Sequence, residues 1–272
     1  MAETVPHRGL DAQGRIAREG SLARVQNEFR PVVAAARDAV LGLFGARLHS
    51  AYLYGSIPRG TARVGRSDLD LLIVPRADPS PADWDAVRDL GERLDEEFPE
   101  IDGAGALLYG RDRLLSDAET YDLGFFVACL CTPLLGDDLA EYLPGYRPDS
   151  RLARETNGDL GTLLPHWRTR AQEATDPGAR VRLVRHQSRH LVRTAFTLVM
   201  PRWNGWTSDL HEMAEAFAEY YPARGDQVRA AAVRGYEPTD SPEALAEYVD
   251  DLGPWLAQEY ARVHGVKSER AS

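Results

Sequence analysis

Apolar residues recur with two different periods, and the change of period divides the chain into two halves. In the first half, short apolar runs predict strands and longer 3.6-residue patterns predict helices. The predicted strands are 51–54, 67–74 and 101–109, and the predicted helices are 21–48, 81–98, 112–115 and 121–135. Beyond residue 148 only helical spacing is found. The predicted helices there are 150–174, 179–200, 208–220, 225–234 and 242–264.

This arrangement predicts an α+β chain with two domains, because strands and helices are not interleaved throughout. A Pro- and Gly-rich stretch at 144–148 is typical of a linker between them. We expect a frayed N-terminus at 1–19, a strand-bearing domain at 20–148 and an all-helical bundle at 149–272. Pro31 should restart the first long helix, because proline fits best in a first helical turn.

Composition narrows the class of protein. Of the 272 residues, 43% are hydrophobic and 27% are charged, which is typical of a globular chain and excludes a disordered or fibrous one. No apolar run reaches the eighteen residues that a membrane helix needs. The N-terminus lacks a basic head followed by an apolar core, so no secretory signal is predicted. We therefore expect a cytoplasmic protein that does not enter the membrane.

The formal net charge is −10, from 42 acidic and 32 basic residues. A surface of this sign repels nucleic acid and anionic lipid and attracts cations. We therefore expect neither nucleic acid nor membrane as a partner. Cys129 and Cys131 lie one residue apart in an apolar segment and are expected to be buried free thiols.

The candidate chemistry lies between the first two predicted strands. Gly55 and Ser56 directly follow the first strand, and Asp68 and Asp70 stand at the start of the second. Alternate residues of a strand share a face, so the two carboxylates lie side by side. Their mutual repulsion favours a cation between them, and oxygen ligands favour Mg²⁺. The sequence therefore predicts a Mg²⁺ site held by these two aspartates.

The residues around this pair suit a phosphate-bearing ligand. Gly55 has no Cβ, so a phosphate can approach its backbone closely. Ser56 can donate hydrogen bonds to phosphate oxygens, and Arg59 and Arg66 in the following loop can neutralise a triphosphate.

These residues resemble the signature of the DNA polymerase β-like nucleotidyltransferases. The similarity is specific over about residues 50–75 and is carried by 54–61 (Tyr-Gly-Ser-Ile-Pro-Arg-Gly-Thr) and 65–71 (Gly-Arg-Ser-Asp-Leu-Asp-Leu). Within that superfamily the chain is most similar to the antibiotic-modifying branch, which includes kanamycin and streptomycin/spectinomycin nucleotidyltransferases. In that branch a C-terminal helical domain closes over the substrate.

The resemblance implies a small mixed sheet flanked by helices, with Mg²⁺ bound by Asp68 and Asp70. It implies that the phosphates of ATP, or of another nucleoside triphosphate, are held at Gly55, Ser56 and the loop residues up to Ser67. The implied reaction transfers a nucleoside monophosphate, usually AMP, to an acceptor hydroxyl, and pyrophosphate leaves. We expect the acceptor to be a cationic small molecule, with an aminoglycoside-like antibiotic as the leading candidate and antibiotic resistance as the role.

One feature of the superfamily has no clear counterpart. A third carboxylate from a later strand usually binds metal or acts as the base, and it is expected near Ala104 or Gly105. The nearest acidic residue is Asp102, two or more positions early. Either a bulge at the neighbouring glycines brings Asp102 into the site as a catalytic residue, or Asp102 merely begins the strand and the base comes from elsewhere.

Two further questions stay open in the sequence. Basic residues on the predicted helix 179–200 form either a ligand-facing stripe or a solvated face; they are Arg185, His186, Arg189, His190 and Arg193. The activity has two alternatives besides small-molecule modification. One is a protein AMP-transferase of the toxin–antitoxin type, and the other is a degenerate nucleotide-binding regulator, which the absence of a third carboxylate would favour.

Overall fold

The structure is a computed structural model that describes residues 8–269; residues 1–7 and 270–272 lie outside it. The chain divides into two compact units. One runs from Ala17 to Tyr146, and the other joins 8–16 to 147–269. The predicted frayed segment 1–19 is described only from residue 8, and this part is held by backbone hydrogen bonds. The Trp206 N–H donates to Arg8 O, and the Glu19 N–H donates to Cys129 O.

The first unit contains four strands, two long helices and several short ones among the described residues. In chain order its elements are α1 Arg30–Phe44, β1 Leu48–Tyr54, α2 Ser56–Arg59, β2 Leu69–Pro75, α3 Pro81–Glu97, β3 Ala104–Leu108, α4 Arg111–Leu114, α5 Leu123–Phe125 and β4 Thr132–Gly136. A π-helical turn, Phe126–Leu130, continues α5. Short 3-10 turns precede α1, and Pro31 lies in its first turn, so the predicted helix 21–48 restarts at this proline.

The strands form one mixed sheet in the order β3-β2-β1-β4. β1 pairs antiparallel with both β2 and β4, and β2 pairs parallel with β3. Helices pack on this sheet, and an all-helical unit follows, so the predicted α+β fold is confirmed.

Both faces of the sheet are covered by apolar side chains. On one face Leu69, Leu71 and Ile73 of β2 pack in a core with α1 and α3. On the other face Leu72 and Val74 pack in a second core with residues of the 114–143 region. Because side chains alternate, Asp68 and Asp70 belong to the face of Leu72, just beyond the end of its core.

The predicted helix 121–135 is wrong at its C-terminal end, where the residues from Thr132 onward form β4. An apolar run of this length is consistent with either a helix or a buried strand. Pro133 has no N–H to donate, which disfavours a helix interior and is tolerated on an edge strand such as β4. Pairing of β4 with β1 over Ser50–Leu53 then satisfies the backbone.

In the second unit the regular elements between residues 150 and 264 are all helices, and an isolated β-bridge joins Leu10 to Ile16. Its elements are α6 Ser150–Asn157, α7 Leu160–Glu173, α8 Pro177–Trp203, α9 Leu210–Tyr220, α10 Pro222–Tyr236, α11 Pro242–Glu247 and α12 Gly253–His264. The single helix predicted at 150–174 is interrupted at Gly158 and Asp159. The helix predicted at 242–264 contains a π-helical turn at Tyr248–Leu252.

Across residues 8–269, no helix has the length and apolar content required to span a bilayer.

Candidate active site

The turn that follows β1 fixes the position of the predicted phosphate-binding residues. Gly55 has φ +81° and ψ −154°, a backbone conformation that is open essentially to glycine alone. Ile57 and Pro58 of α2 are buried beneath the turn and anchor it, and Gly60 closes it with φ +74°. The sequence therefore folds locally into a fixed loop at the end of a buried strand.

Asp70 lies directly against this turn. In the β1–β2 ladder Asp70 is the partner of Tyr54, the residue before Gly55. A Cβ added to Gly55 would lie only 2.3 Å from Asp70 Oδ2. The missing side chain of Gly55 thus leaves the space that the Asp70 carboxylate occupies. The sequence predicted that Gly55 makes room for a phosphate, and it did not predict this contact with Asp70.

Asp68 directly precedes β2, and continuing the alternation of the strand places it on the same face as Asp70. A Cβ on Gly103 would lie 3.7 Å from Asp68 Oδ1, so that carboxylate is beside the start of β3. Asp68 and Asp70 are both half-buried. The structure therefore brings Gly55, Asp68 and Asp70 to one end of the β1–β2 pair.

The basic and hydroxyl side chains between β1 and β2 differ in their contacts and in their exposure. The Arg59 guanidinium contacts the Glu19 carboxylate, with Nη1 and Oε2 3.4 Å apart. Arg66 is exposed to solvent. The Ser67 hydroxyl oxygen accepts a hydrogen bond from the Arg63 N–H at 2.9 Å, so this side chain braces the loop. Sequence reasoning missed Glu19, because 40 residues separate it from Arg59 and no local pattern links the two.

Asp102 lies ahead of β3 and is exposed. Its N–H donates to Ser67 O, and β2 and β3 pair without a bulge from Leu69–Ala104 onward. The residue in register with Asp70 is Gly105. Of the two alternatives for Asp102, this placement agrees with a residue that begins the strand rather than one carried into the site by a bulge.

The space around Gly105 is open: no heavy atom lies within 4 Å of a Cβ built there. Paired residues of parallel strands place their side chains on the same face, so a side chain at this position would stand beside Asp70. Among the described residues, no group of three or more His, Cys, Asp or Glu side chains is arranged to hold a metal ion. Asp68 and Asp70 are the carboxylates that the structure places beside the start of β3 and the turn at Gly55.

Two aromatic rings and a thiol lie near Asp70. Tyr54 packs edge-to-face on Phe126, with ring centroids 4.9 Å apart. Cys131 is close enough to Asp70 to sense its charge, and burial raises the pKa of this thiol well above its usual range. The thiol is therefore protonated at neutral pH and adds no negative charge. Cys129 and Cys131 are buried thiols that take part in no disulfide, as expected.

Three residues of the basic stripe of α8 contact neighbouring helices of the same unit, although His186 and Arg193 remain exposed to solvent. His186 and His190 both contact the ring of Trp167 on α7, with centroids 6.3 and 5.2 Å away. Burial lowers the pKa of His190 below its usual value, so this ring is neutral at pH 7. Arg189 Nε donates to Gly235 O at the end of α10. His190 and Arg189 thus contact α7 and α10, which neither alternative for the stripe included, while the exposure of His186 and Arg193 agrees with a partly solvated face.

Replacing Gly55 with alanine is expected to lower the free energy of unfolding by about 1–3 kcal/mol, because alanine disfavours this backbone conformation and its Cβ would meet Asp70. Gly42→Ala on α1 is the matched control. Gly42 has open space around it and ordinary helical geometry, so this change should stabilise the chain by about 0.5–1 kcal/mol. Urea unfolding of both variants measures the difference, and equal effects would contradict the assigned role of Gly55.

Comparison with solved structures identifies a shared fold. The chain superposes on the crystal structure of spectinomycin adenyltransferase AAD(9) from Enterococcus faecialis, which was determined with ATP and spectinomycin. The TM-score is 0.51 at 14% sequence identity, and the match covers 84% of this chain and 98% of the other. No family model and no curated protein sequence matches the chain. The chain therefore shares its fold with that protein.

Proposed function

We propose that this protein is a Mg²⁺-dependent nucleotidyltransferase that transfers AMP from ATP to a hydroxyl group of a small cationic molecule. The observation that carries the proposal is the contact between Asp70 and the turn at Gly55. A residue with a side chain would fill that space, and Asp68 lies on the same face of the sheet. The fold shared with an adenyltransferase supports the same assignment.

The two aspartates suit Mg²⁺ that arrives with its substrate. Mg²⁺ is typically bound through one or two carboxylates, and substrate phosphates and water complete its coordination. Asp68 and Asp70 would supply those carboxylates. When bound, Mg²⁺ supplies charge neutralisation for the phosphates.

The chain's own groups bind and orient the nucleotide. Gly55 allows a phosphate to approach the backbone, and the Ser56 N–H and hydroxyl donate to its oxygens. Arg59 and Arg66 offset the charge of the triphosphate. Ser67 contributes through the loop that it braces against Arg63. Positioning and charge neutralisation account for most of the catalysis in phosphoryl transfer of this kind.

The net charge of −10 favours a cationic acceptor over nucleic acid. The structural neighbour was crystallised with spectinomycin, an observation about that protein which directs the choice of acceptors to be tested. We propose an aminocyclitol or aminoglycoside-like antibiotic as the acceptor, and modification of its hydroxyl as the route to resistance.

A specific observation favours one second candidate. Gly105 occupies the position in register with Asp70 where the resemblance places a third carboxylate. Without a base in reach of the acceptor hydroxyl, the site would hold a nucleotide with little turnover. The second candidate is therefore a nucleotide-binding regulator that uses the same two aspartates.

Incubation with each nucleoside triphosphate, Mg²⁺ and a panel of aminocyclitols and aminoglycosides separates the two candidates. If the protein is a transferase, pyrophosphate should be released and the mass of the acceptor should increase by that of one nucleotidyl group. Nucleotide binding without either product would instead support the regulator. Labelling of protein or RNA in preference to every small cation would overturn the small-molecule acceptor.

The acceptor's Michaelis constant is expected to rise when ionic strength increases from about 10 to 150 mM, because screening over roughly 8–10 Å weakens attraction between exposed charges. A several-fold increase should be seen with a cationic acceptor and not with a neutral analogue. A constant that does not change with salt would contradict electrostatic recognition of the acceptor.

A further inference from the structure

The segment just before α1 lies against the turn of the proposed nucleotide site. The Glu19 N–H donates to Cys129 O at 3.0 Å, and the Ser21 N–H donates to Pro58 O at 2.9 Å. Between them, Gly20 is so close to its neighbours that an added Cβ would lie 2.4 Å from Thr132 Oγ1. The backbone on both sides of the Glu19 side chain is therefore fixed.

This segment delivers a carboxylate to Arg59. Glu19 is shielded, with 14% of its side chain exposed, whereas Arg59 is 32% exposed. Partial burial makes their attraction stronger than that of a fully solvated pair. The basic residue at the end of α2 is thus already neutralised before any triphosphate binds.

The contact between Arg59 and Glu19 is long, so a phosphate can replace the carboxylate as the partner of Arg59. Its Nη1–Oε2 distance is 3.4 Å, longer than the 2.7–2.9 Å of a strong charge-assisted hydrogen bond. The neighbouring pair of Arg18 with Asp138 is bidentate, with distances of 2.7 and 3.1 Å. Arg18 therefore anchors the segment through two short contacts, while Arg59 meets Glu19 through one longer contact and has other N–H groups to offer a second anion.

We propose that Glu19 is a positioning residue that competes with the bound triphosphate for Arg59 and so sets the affinity of the site for nucleotides. This inference rests on the proposed function and adds a residue to it. Because its backbone is fixed, Glu19 remains near Arg59 when the nucleotide arrives. Its negative charge then opposes the phosphates, and this penalty grows with the number of phosphates carried.

Three ligands of increasing charge test the proposal: adenosine, AMP and ATP, each with Mg²⁺ and titrated by calorimetry. Glu19→Gln keeps the size of the side chain and removes its charge. We expect it to tighten ATP binding by about three- to tenfold, to tighten AMP binding less and to leave adenosine unchanged. Asp138→Asn is the matched control, since it weakens the other anchor of the segment and leaves the Arg59 contact intact.

Arg59→Gln provides a second and independent variant, which should weaken ATP binding and leave adenosine unchanged. The proposal is overturned if Glu19→Gln changes the affinity for all three ligands equally, as a merely structural residue would, or if Arg59→Gln leaves ATP binding unaltered. It is also overturned if Asp138→Asn reproduces the charge-dependent gain. Failure of the wild-type protein to bind ATP at all would instead count against the proposed function itself.

Discussion

Replacing Asp68 or Asp70 with asparagine is expected to lower nucleotidyl transfer by at least about 10²–10³-fold while the chain stays folded. Asparagine has nearly the same shape as aspartate, so the close fit of residue 70 against Gly55 is kept. The neutral amide, however, binds a divalent cation far less strongly than a carboxylate does. Steady-state pyrophosphate release with the best acceptor measures the loss.

Asp38→Asn is the control for this experiment. Asp38 is an exposed carboxylate of α1 that pairs with Arg37 at the surface, so its removal should leave transfer unchanged. Circular dichroism and urea unfolding check that all three variants keep the fold. If either site variant retains transfer within tenfold of the wild type, the aspartates do not have the role proposed for them.

Replacing Gly105 with aspartate is expected to raise turnover by about tenfold or more, because it places a carboxylate beside Asp70 in the β2–β3 ladder. The space there is open, so the side chain should be accommodated without displacing its neighbours. Gly105→Asn has similar size without the charge and should give no gain. Single-turnover measurement of the chemical step distinguishes this effect from altered nucleotide binding.

Asp102→Ala provides the comparison for Gly105. Since Asp102 is exposed and precedes β3, we expect its loss to lower turnover by less than about tenfold. Loss of a general base would cost about 10²–10⁴-fold. A loss of that size in Asp102→Ala, together with no gain in Gly105→Asp, would assign the base to Asp102 and contradict its placement as a residue that only begins the strand.

Short-range patterns were enough to predict most elements that position the site. β1, the glycine turn and β2 follow from an apolar run, a conformational requirement and a second apolar run, all within about 25 residues. The alternation of β2 also places both aspartates on one face. The two-domain α+β class follows from the change of period beyond residue 148.

Long-range contacts were beyond the reach of these patterns. β4 was hidden in an apolar run whose length fits a helix or a strand, and pairing with β1, far away in sequence, decides between them. The contact of Glu19 with Arg59 joins segments 40 residues apart. On α8, helical periodicity predicted that His190 lies on the same side of the helix as the other basic residues. Its contact with the ring of Trp167 on α7 is seen only in the fold.

The most direct test of the central claim is the thermal stabilisation of the protein by ATP, measured with and without Mg²⁺. A ligand that binds only the folded state at 100 times its Kd adds about 2.7 kcal/mol, which corresponds to roughly 5–10 °C in a chain of this size. We expect such a shift for the wild type with Mg²⁺ and ATP together, and a much smaller shift when Mg²⁺ is omitted. Asp68→Asn and Asp70→Asn should show little or no shift. Equal stabilisation of all three proteins, or none of the wild type, would contradict a nucleotide site built on these two aspartates.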